Sequence, residues 1–495
     1  VVLYQFKNTV HLAIVSAVSA VTIAILWHFG IDEVSLSLSS GSRITGVGCL
    51  IFGGLHCLSS PTESKVSKGT KLLTPKQFKS KLRDADGIGI PYLDGRNRPG
   101  LLKIHKNLER SHFLICGDTG TGKSAIQHTL IQQIRDRRHD GAVIYDPSLE
   151  FWEHHASPND LLLHPYSVNC PFWDITKEIR SRLDAVAIAS SFIPSKPNGQ
   201  DSFFVDSPRK ILVMLLMELK RQGLGIPELV KWLGDSELIL DMAENSDAEK
   251  LIDRDAHSQT AGVLGSLSLI ADALKILPHD DGKRAKFSFT DWANSDRQQW
   301  LFIGTRGVGE REGLRPIITA WLDIAFSRLM AVKNSHPTWC FTDELPTLRK
   351  LESFKTALHE GRKYNLRIVA GFQGKSQIES LYGRDAESLM SAPSTRVFLK
   401  SNEFSSAVWT AQNIGMPELK RDVSSYSSTV LGSTGRDSVS VRTETKSEYL
   451  VLPNEIQNLD KLTGYLRYDK YAVFVRFPYP ELEQRNNFVG VDLSL

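Results

Sequence analysis

From about residue 100 onward, short apolar runs alternate with segments whose apolar positions recur every three or four residues. "SHFLIC" (111–116), "GAVIYD" (141–146), "QQWLFIGT" (298–305), "TWCFTDE" (338–344), "LRIVAGFQ" (366–373) and "TRVFLKS" (395–401) have strand length. The helix-length segments between them, the first running from Ser124 to about Arg138, predict an α/β fold: a mainly parallel sheet with helices on both faces. Between Ile179 and Leu277 the strand signal stops. "RLDAVAIASSFI", "PRKILVMLLMELKRQG", "IPELVKWL" and "AGVLGSLSLIADALKIL" have helical spacing. They predict an all-helical insertion over 179–277 in an α/β core made of 63–178 and 278–495. The polar, serine-rich stretch 424–447 predicts a mobile loop or an exposed ribbon.

The first 62 residues follow a different pattern. Thr9 to Ile31 holds no Asp, Glu, Lys or Arg, and at ~1.5 Å per residue it can cross a hydrocarbon core of about 30 Å. Ile44 to Ser60 is shorter and glycine-rich, which suits a second span packed closely on the first. Lys7 precedes the pair, and Lys65, Lys68 and Lys71 follow it. The positive-inside tendency puts both ends in the cytoplasm, so 1–62 is expected to be a transmembrane helical hairpin with a short outer loop. A cleaved signal peptide is disfavoured because no small-residue cleavage pattern follows the first run. The chain begins with Val1, and residues are expected to precede it.

Composition narrows the class. With 41% hydrophobic and 23% charged residues the chain is globular, not disordered. The net charge of +3 does not mark a DNA-coating protein, although a basic channel can hide inside a balanced total. Five scattered cysteines (Cys49, Cys57, Cys116, Cys170, Cys340) show neither a disulfide framework nor zinc spacing and read as reduced, buried thiols.

The chemistry concentrates in two places. In "SHFLICGDTGTGKS" a strand runs through Gly117-Asp118-Thr119-Gly120-Thr121-Gly122-Lys123-Ser124 directly into a helix. Glycines let the backbone wrap around phosphate oxygens, and the amides of Gly117, Thr119, Gly120, Thr121 and Gly122 with the helix N-terminus attract the anion. Lys123 can neutralise β/γ-phosphate charge, and the Ser124 hydroxyl can ligate Mg²⁺, so ATP with Mg²⁺ is the expected ligand. The second place is "TWCFTDEL" (338–345), where an apolar strand ends in two acids. By itself that can be a strand surfacing before a helix. Beside a phosphate site, Asp343 reads as a second Mg²⁺ holder and Glu344 as the base that activates water. Gln373 also ends a strand, where its amide can sense the γ-phosphate. Arg362 in "HEGRKYN" is a candidate arginine finger for a neighbouring subunit, against the bland reading of a charge at a helix end.

Other signals read as packing or solvation. Glu153-His154-His155 and His164 lack the spacing of a zinc pair. "RDRRH" (135–139) reads as a solvated, dipole-matching helix C-terminus. Trp152, Trp173 and Trp292 read as core, and no DNA-contacting residue can be assigned.

Taken together, "GDTGTGKS", "VIYDPSLEF", "WLFIGTRGVGEREGLRPIITAWLDIA", "CFTDELPTLRKLESFKTALHEGRKYNLRIVAGFQGKSQIESLYG" and "LVLPNEIQNLDKLTGYL" resemble the TraD/TrwB-type coupling proteins of conjugative type IV secretion, from about Leu101 to Val491. The resemblance implies a RecA-like P-loop NTPase core and a homo-hexameric ring with ATP at subunit interfaces. It implies ATP-driven translocation of DNA, normally single-stranded and also duplex, with a relaxase. The destination would be a secretion channel whose inner-membrane components the ring meets at the bacterial inner membrane, the bulk of the chain lying in the cytoplasm. It supports Lys123 and Ser124 for nucleotide and metal, Asp343 and Glu344 for metal and hydrolysis, Arg362 as the trans-acting arginine and Gln373 as the sensor. His164-Pro165 departs from an Asn-Pro pair common in relatives. No long tail follows the core after Val491 in this sequence, which leaves recruitment either open or handled by the helical insertion. Two other readings remain open: a membrane receptor or adaptor whose assembly is stabilised by nucleotide, and an FtsK-like chromosome translocase.

Overall fold

Strand residues point alternately to opposite faces, so a strand buried on both sides must be apolar at every position. The central strands meet that requirement. Leu114, Cys116, Val143, Tyr145, Cys340, Ile368 and Ala370 join one buried cluster. Their alternating neighbours Phe113, Ile115, Ala142, Ile144, Phe341 and Val369 join another. The structure is a computed structural model that describes residues 65–491 except 197–201, 245, 253–256, 334–335 and 428–437. The membrane spans expected over 9–31 and 44–60 lie outside the described residues. Among the described residues no helix is long and apolar enough to cross a membrane.

The strands begin with β1 (Lys65–Lys68), β2 (Lys71–Leu73), β3 (Gly89–Leu93), β4 (Pro99–Lys103) and β5 (Phe113–Cys116). They continue with β6 (Gly141–Asp146), β7 (Leu161–Leu163), β8 (Phe172–Trp173), β9 (Lys286–Phe287), β10 (Leu301–Gly304) and β11 (Thr338–Thr342). The last are β12 (Leu366–Phe372), β13 (Thr395–Phe398), β14 (Glu418–Ser427), β15 (Ser438–Ser447), β16 (Thr463–Tyr468) and β17 (Tyr471–Arg476). Ten of them form one sheet in the order β2-β17-β16-β13-β5-β12-β11-β6-β10-β7. From β13 to β7 all neighbours are parallel. β13–β16 and β16–β17 are antiparallel, and β2 joins β17 in parallel. The sheet is thus mostly parallel, with a mixed edge that the apolar runs did not foretell. "TGYLRYDKYAVFVR" is a tight hairpin of alternating residues, a pattern distinct from a continuous apolar run.

The helix Lys123–Asp136 covers one face through Ile126, Leu130, Ile131 and Ile134. On the other face the described elements from Arg182 to Leu274 are helical. Ile188, Leu215, Leu229 and Leu267 join the same buried cluster as that face of the sheet. The helical segment therefore shares its core with the sheet.

Of the two forms expected for 424–447 the structure has the ribbon, since these residues contribute to the neighbouring ten-residue strands β14 and β15, while one other expectation changes. The chain divides into two compact units, 66–419 with 445–495 and 1–65 with 420–444, and most of both strands falls in the second. The helix end "RDRRH" is not simply solvated. Arg135 pairs with Asp160 at 2.5 Å and stacks 3.4 Å from the Trp300 ring centre. Arg137 pairs at 2.7 Å with the buried Glu109, which Arg367 also approaches at 3.2 Å. Buried carboxylates of this kind need such partners, because an unpaired charge out of water is costly.

Candidate functional site

Parallel order places the carboxyl ends of β5, β12, β11 and β6 side by side on one edge of the sheet. Open α/β sheets bind ligands beyond such ends. From β5 the chain turns through Gly117–Gly122 into the helix at Lys123. Gly120 and Gly122 have φ of +75° and +118°, a region L side chains rarely adopt. The loop is held from several sides. Gly117 N donates to Phe372 O (3.2 Å) and Asp118 N to Lys400 O (2.9 Å). Thr121 Oγ1 donates to Asp118 O at 2.7 Å. Lys123 Nζ curls back to Gly117 O (2.8 Å) and Asp118 O (3.3 Å).

The acid pair arrives from β11, two strands away. Ser124 Oγ lies 3.4 and 3.5 Å from the two Asp343 carboxylate oxygens. Gln127 Nε2 donates to Asp343 Oδ1 at 2.6 Å. Glu344 Oε2 is 3.9 Å from Lys123 Nζ and accepts from Gln373 Nε2 at 3.1 Å. Glu344 Oε1 is buried without a hydrogen-bond partner. Burial raises both carboxyls above their usual range, while Lys123 opposes the rise in each case. Lys123, Ser124, Asp343, Glu344 and Gln373 line a cavity of about 260 Å³ together with Thr119, Gly120, Gly122, Ala125, Lys461, Leu462 and Tyr479.

The residues read from the sequence thus divide. Thr119, Gly120, Gly122, Lys123, Ser124, Asp343, Glu344 and Gln373 meet in one cavity. Gly117 and Thr121 shape the loop from behind: a Cβ on Gly117 would lie 2.6 Å from Leu399. Arg362 is not among them. It is exposed on the turn Gly361–Tyr364, just before β12, whereas Gln373 follows the strand. Seven strand residues at about 3.3 Å each separate it from its own chain's cavity.

Three contributors were missed. Gln127 follows Ser124 by three residues on a helix, the spacing that puts both on one face. Asp146 ends β6 as Asp343 follows β11, and it is fully buried. Burial, with Asp343 adding to it, pushes its carboxyl up to about 7, and its Oδ1 has no partner. The Lys461–Leu462 and Tyr479–Leu482 wall carried no local signal. The histidines are packing groups: His128 bonds His155 (2.8 Å) and Glu150 (3.0 Å), and burial pushes His155 down to about 3. Among the described residues no group of three or more His, Cys, Asp or Glu side chains could hold a metal ion. Mg²⁺ needs less, because it takes one or two protein oxygens with phosphates and waters. The Ser124 hydroxyl beside the Asp343 carboxylate fits that need.

The chain matches the type IV secretion-system coupling protein DNA-binding domain over residues 97–478. It belongs to the type IV coupling protein family. Coupling protein TraD of Escherichia coli (strain K12) is 29% identical over 433 residues, covering 85% of this chain. The chain spans 58% of TraD's length. Among solved coupling proteins, unbound TrwBdeltaN70 superposes with a TM-score of 0.74 at 25% identity, covering 87% of this chain and 99% of that one. TrwB in complex with ADP and Mg²⁺ gives 0.74 and 25%, covering 88% and 99%. The shared architecture is the mostly parallel sheet with helices described above.

Proposed function

We propose that this chain is a membrane-anchored ATPase that drives DNA and brings a DNA–relaxase substrate to a type IV secretion channel in conjugation. The observation that carries the reading is the meeting of Lys123, Ser124, Asp343, Glu344 and Gln373 in one cavity from three separate strand ends. A nucleotide-binding module without hydrolysis has no use for Glu344. The P-loop amides and Lys123 hold the β/γ-phosphates. Ser124 and Asp343 hold Mg²⁺, which when bound neutralises phosphate charge. Glu344, held above the usual carboxylate range by burial and oriented by Gln373, accepts the proton of the attacking water. Gln373 couples the γ-phosphate to that base. Its place at the far end of β12 removes Arg362 from its own cavity, which supports a role in the next subunit of a hexamer. The similarity to TrwB, solved with ADP and Mg²⁺, supports the ligand assignment. The inner-membrane anchor is assigned to 1–62, the core to 63–178 and 278–495, and the helical insertion to 179–277.

The test is ATP turnover by the full chain in lipid nanodiscs with no DNA, single-stranded DNA or duplex. DNA should accelerate turnover, and Lys123→Ala and Glu344→Gln should each lower it by roughly two orders of magnitude or more. Turnover of an assembled protein that ignores both kinds of DNA would overturn the motor reading in favour of a receptor.

A further inference from the structure

Once phosphates occupy the P-loop end of the cavity, the rest of it must take the remainder of the ligand. That part is walled by a segment from the far C-terminal side of the chain. After β17, Phe477 N donates to Leu462 O at 2.8 Å, and Leu462 N donates to Thr121 O at 3.0 Å, which ties this wall to the P-loop. A Cβ on Gly122 would sit 2.6 Å from the Leu462 side chain, so the two are in direct contact. Further along, Arg485 N and Asn486 N both donate to Glu153 O, at 2.8 and 3.0 Å. Asn486 Nδ2 donates to Ala156 O (2.8 Å), and a His154 ring nitrogen bonds Glu483 O (2.9 Å). The segment is thus a strap pinned at both ends, and between the pins Tyr479, Pro480 and Leu482 line the cavity.

Tyr479 is 72% exposed. A large ring in that state at the rim of a phosphate site has an unpaired face, and the Pro480, Leu482 and Leu462 side chains beside it are apolar. From these we infer that the strap is the base subsite of the nucleotide, with the ligand's purine stacked on Tyr479 and bounded by Pro480 and Leu482. The inference rests on the nucleotide reading of the P-loop and adds to it the residues that hold the base. Stacking needs only a π face, so this subsite contributes affinity for any purine nucleotide while the P-loop reads the phosphates.

The experiment separates the two halves of the ligand. Calorimetric titration of the full chain with ATP and with inorganic tripolyphosphate, both with Mg²⁺, is done on wild type, Tyr479→Ala, Tyr479→Phe and Lys123→Ala. Tyr479→Ala should weaken ATP about tenfold and leave tripolyphosphate unchanged, while Tyr479→Phe keeps both. Lys123→Ala should weaken both ligands. Equal ATP affinity in wild type and Tyr479→Ala, or equal weakening of ATP and tripolyphosphate by that change, overturns the base subsite and leaves the P-loop reading intact. Wild-type chain that binds neither ligand overturns both. Because Tyr479 is exposed, its variants should unfold at the wild-type midpoint, which a urea titration verifies.

Discussion

Replacing Gly371 by alanine tests whether the position of the acid pair is set by backbone contact alone. Gly371 lies in β12, between β5 and the end of β11. A Cβ built on it would be 2.2 Å from the Asp343 carbonyl oxygen, 3.0 Å from the Asp343 carbonyl carbon and 3.1 Å from the Thr342 oxygen. Ordinary contact starts at 3.4 Å, so 3.4 less 2.2 leaves about 1.2 Å for the two strands to find. Both partners are backbone inside a sheet covered on both faces, and no flexible side chain can yield instead. Overpacking of this kind costs about 1–3 kcal/mol. The easier movement is at the end of β11, which carries Asp343 and Glu344 away from Ser124 and Lys123. A misplacement of roughly 1 Å at reacting groups lowers rate by about a hundredfold. The expected result is therefore a modest loss in urea stability, near-normal ATP affinity and a fall in kcat of about two orders of magnitude. Leu216→Ala is the comparison: it truncates a fully buried side chain in the helix Ser202–Gln222, costs about 2–5 kcal/mol and should spare kcat. If Gly371→Ala turns over like wild type, or loses no more than Leu216→Ala, the reasoning fails.

Gln127→Leu removes the amide that donates to Asp343 at 2.6 Å. The Mg²⁺ concentration for half-maximal turnover should rise about tenfold, and an unchanged midpoint in a Mg²⁺ titration would deny Gln127 that role. Asp146 carries a pH signature. Its folded pKa is raised from 3.8 to about 7, so the folded state holds a proton that the unfolded chain releases. Its cost is absent below the unfolded value and grows as pH rises from about 4 to about 7. At about 1.36 kcal/mol per unit this is of the order of 4 kcal/mol. Asp146→Asn keeps the acceptor for Trp152 N and should gain stability over wild type between pH 5 and 8, as urea midpoints across that range would show; a constant difference would contradict the assignment. Arg362→Ala should leave ATP affinity of the unassembled chain unchanged while lowering turnover of the assembled ring about a thousandfold. Equal turnover by the assembled variant and wild type would remove the trans role.

Much of this was legible along the chain because the informative signals are local. A glycine-rich loop between an apolar strand and a helix states its own geometry, so Gly117 to Ser124 could be read as a phosphate loop. "TWCFTDEL" announced a buried strand ending in charge. What escaped detection depends on distance. The β16–β17 hairpin closes the mixed edge of the sheet, but its alternating pattern does not name its partner β13. Arg135 and Arg137 looked like solvent charges because Asp160 and Glu109, their partners, are 25 and 28 residues away. Gln127 was an ordinary helix residue until β11 delivered Asp343 to it.

The sequence by itself determined the phosphate loop, the acid pair, the parallel core and the family, since each is written in contiguous residues with a fixed local conformation. The tertiary structure alone decided which strand ends are neighbours. It set the order β5-β12-β11-β6, so that Lys123 meets Glu344, Asp146 is buried beside Asp343, and the strap at Tyr479 is laid across the cavity. Arg362 shows the same division: it precedes β12 and Gln373 follows it, and because the strand between them is extended the two residues cannot serve one site. The physical reason is that strand order is set by burying both faces of the sheet at once, a condition on the whole chain that no single segment expresses.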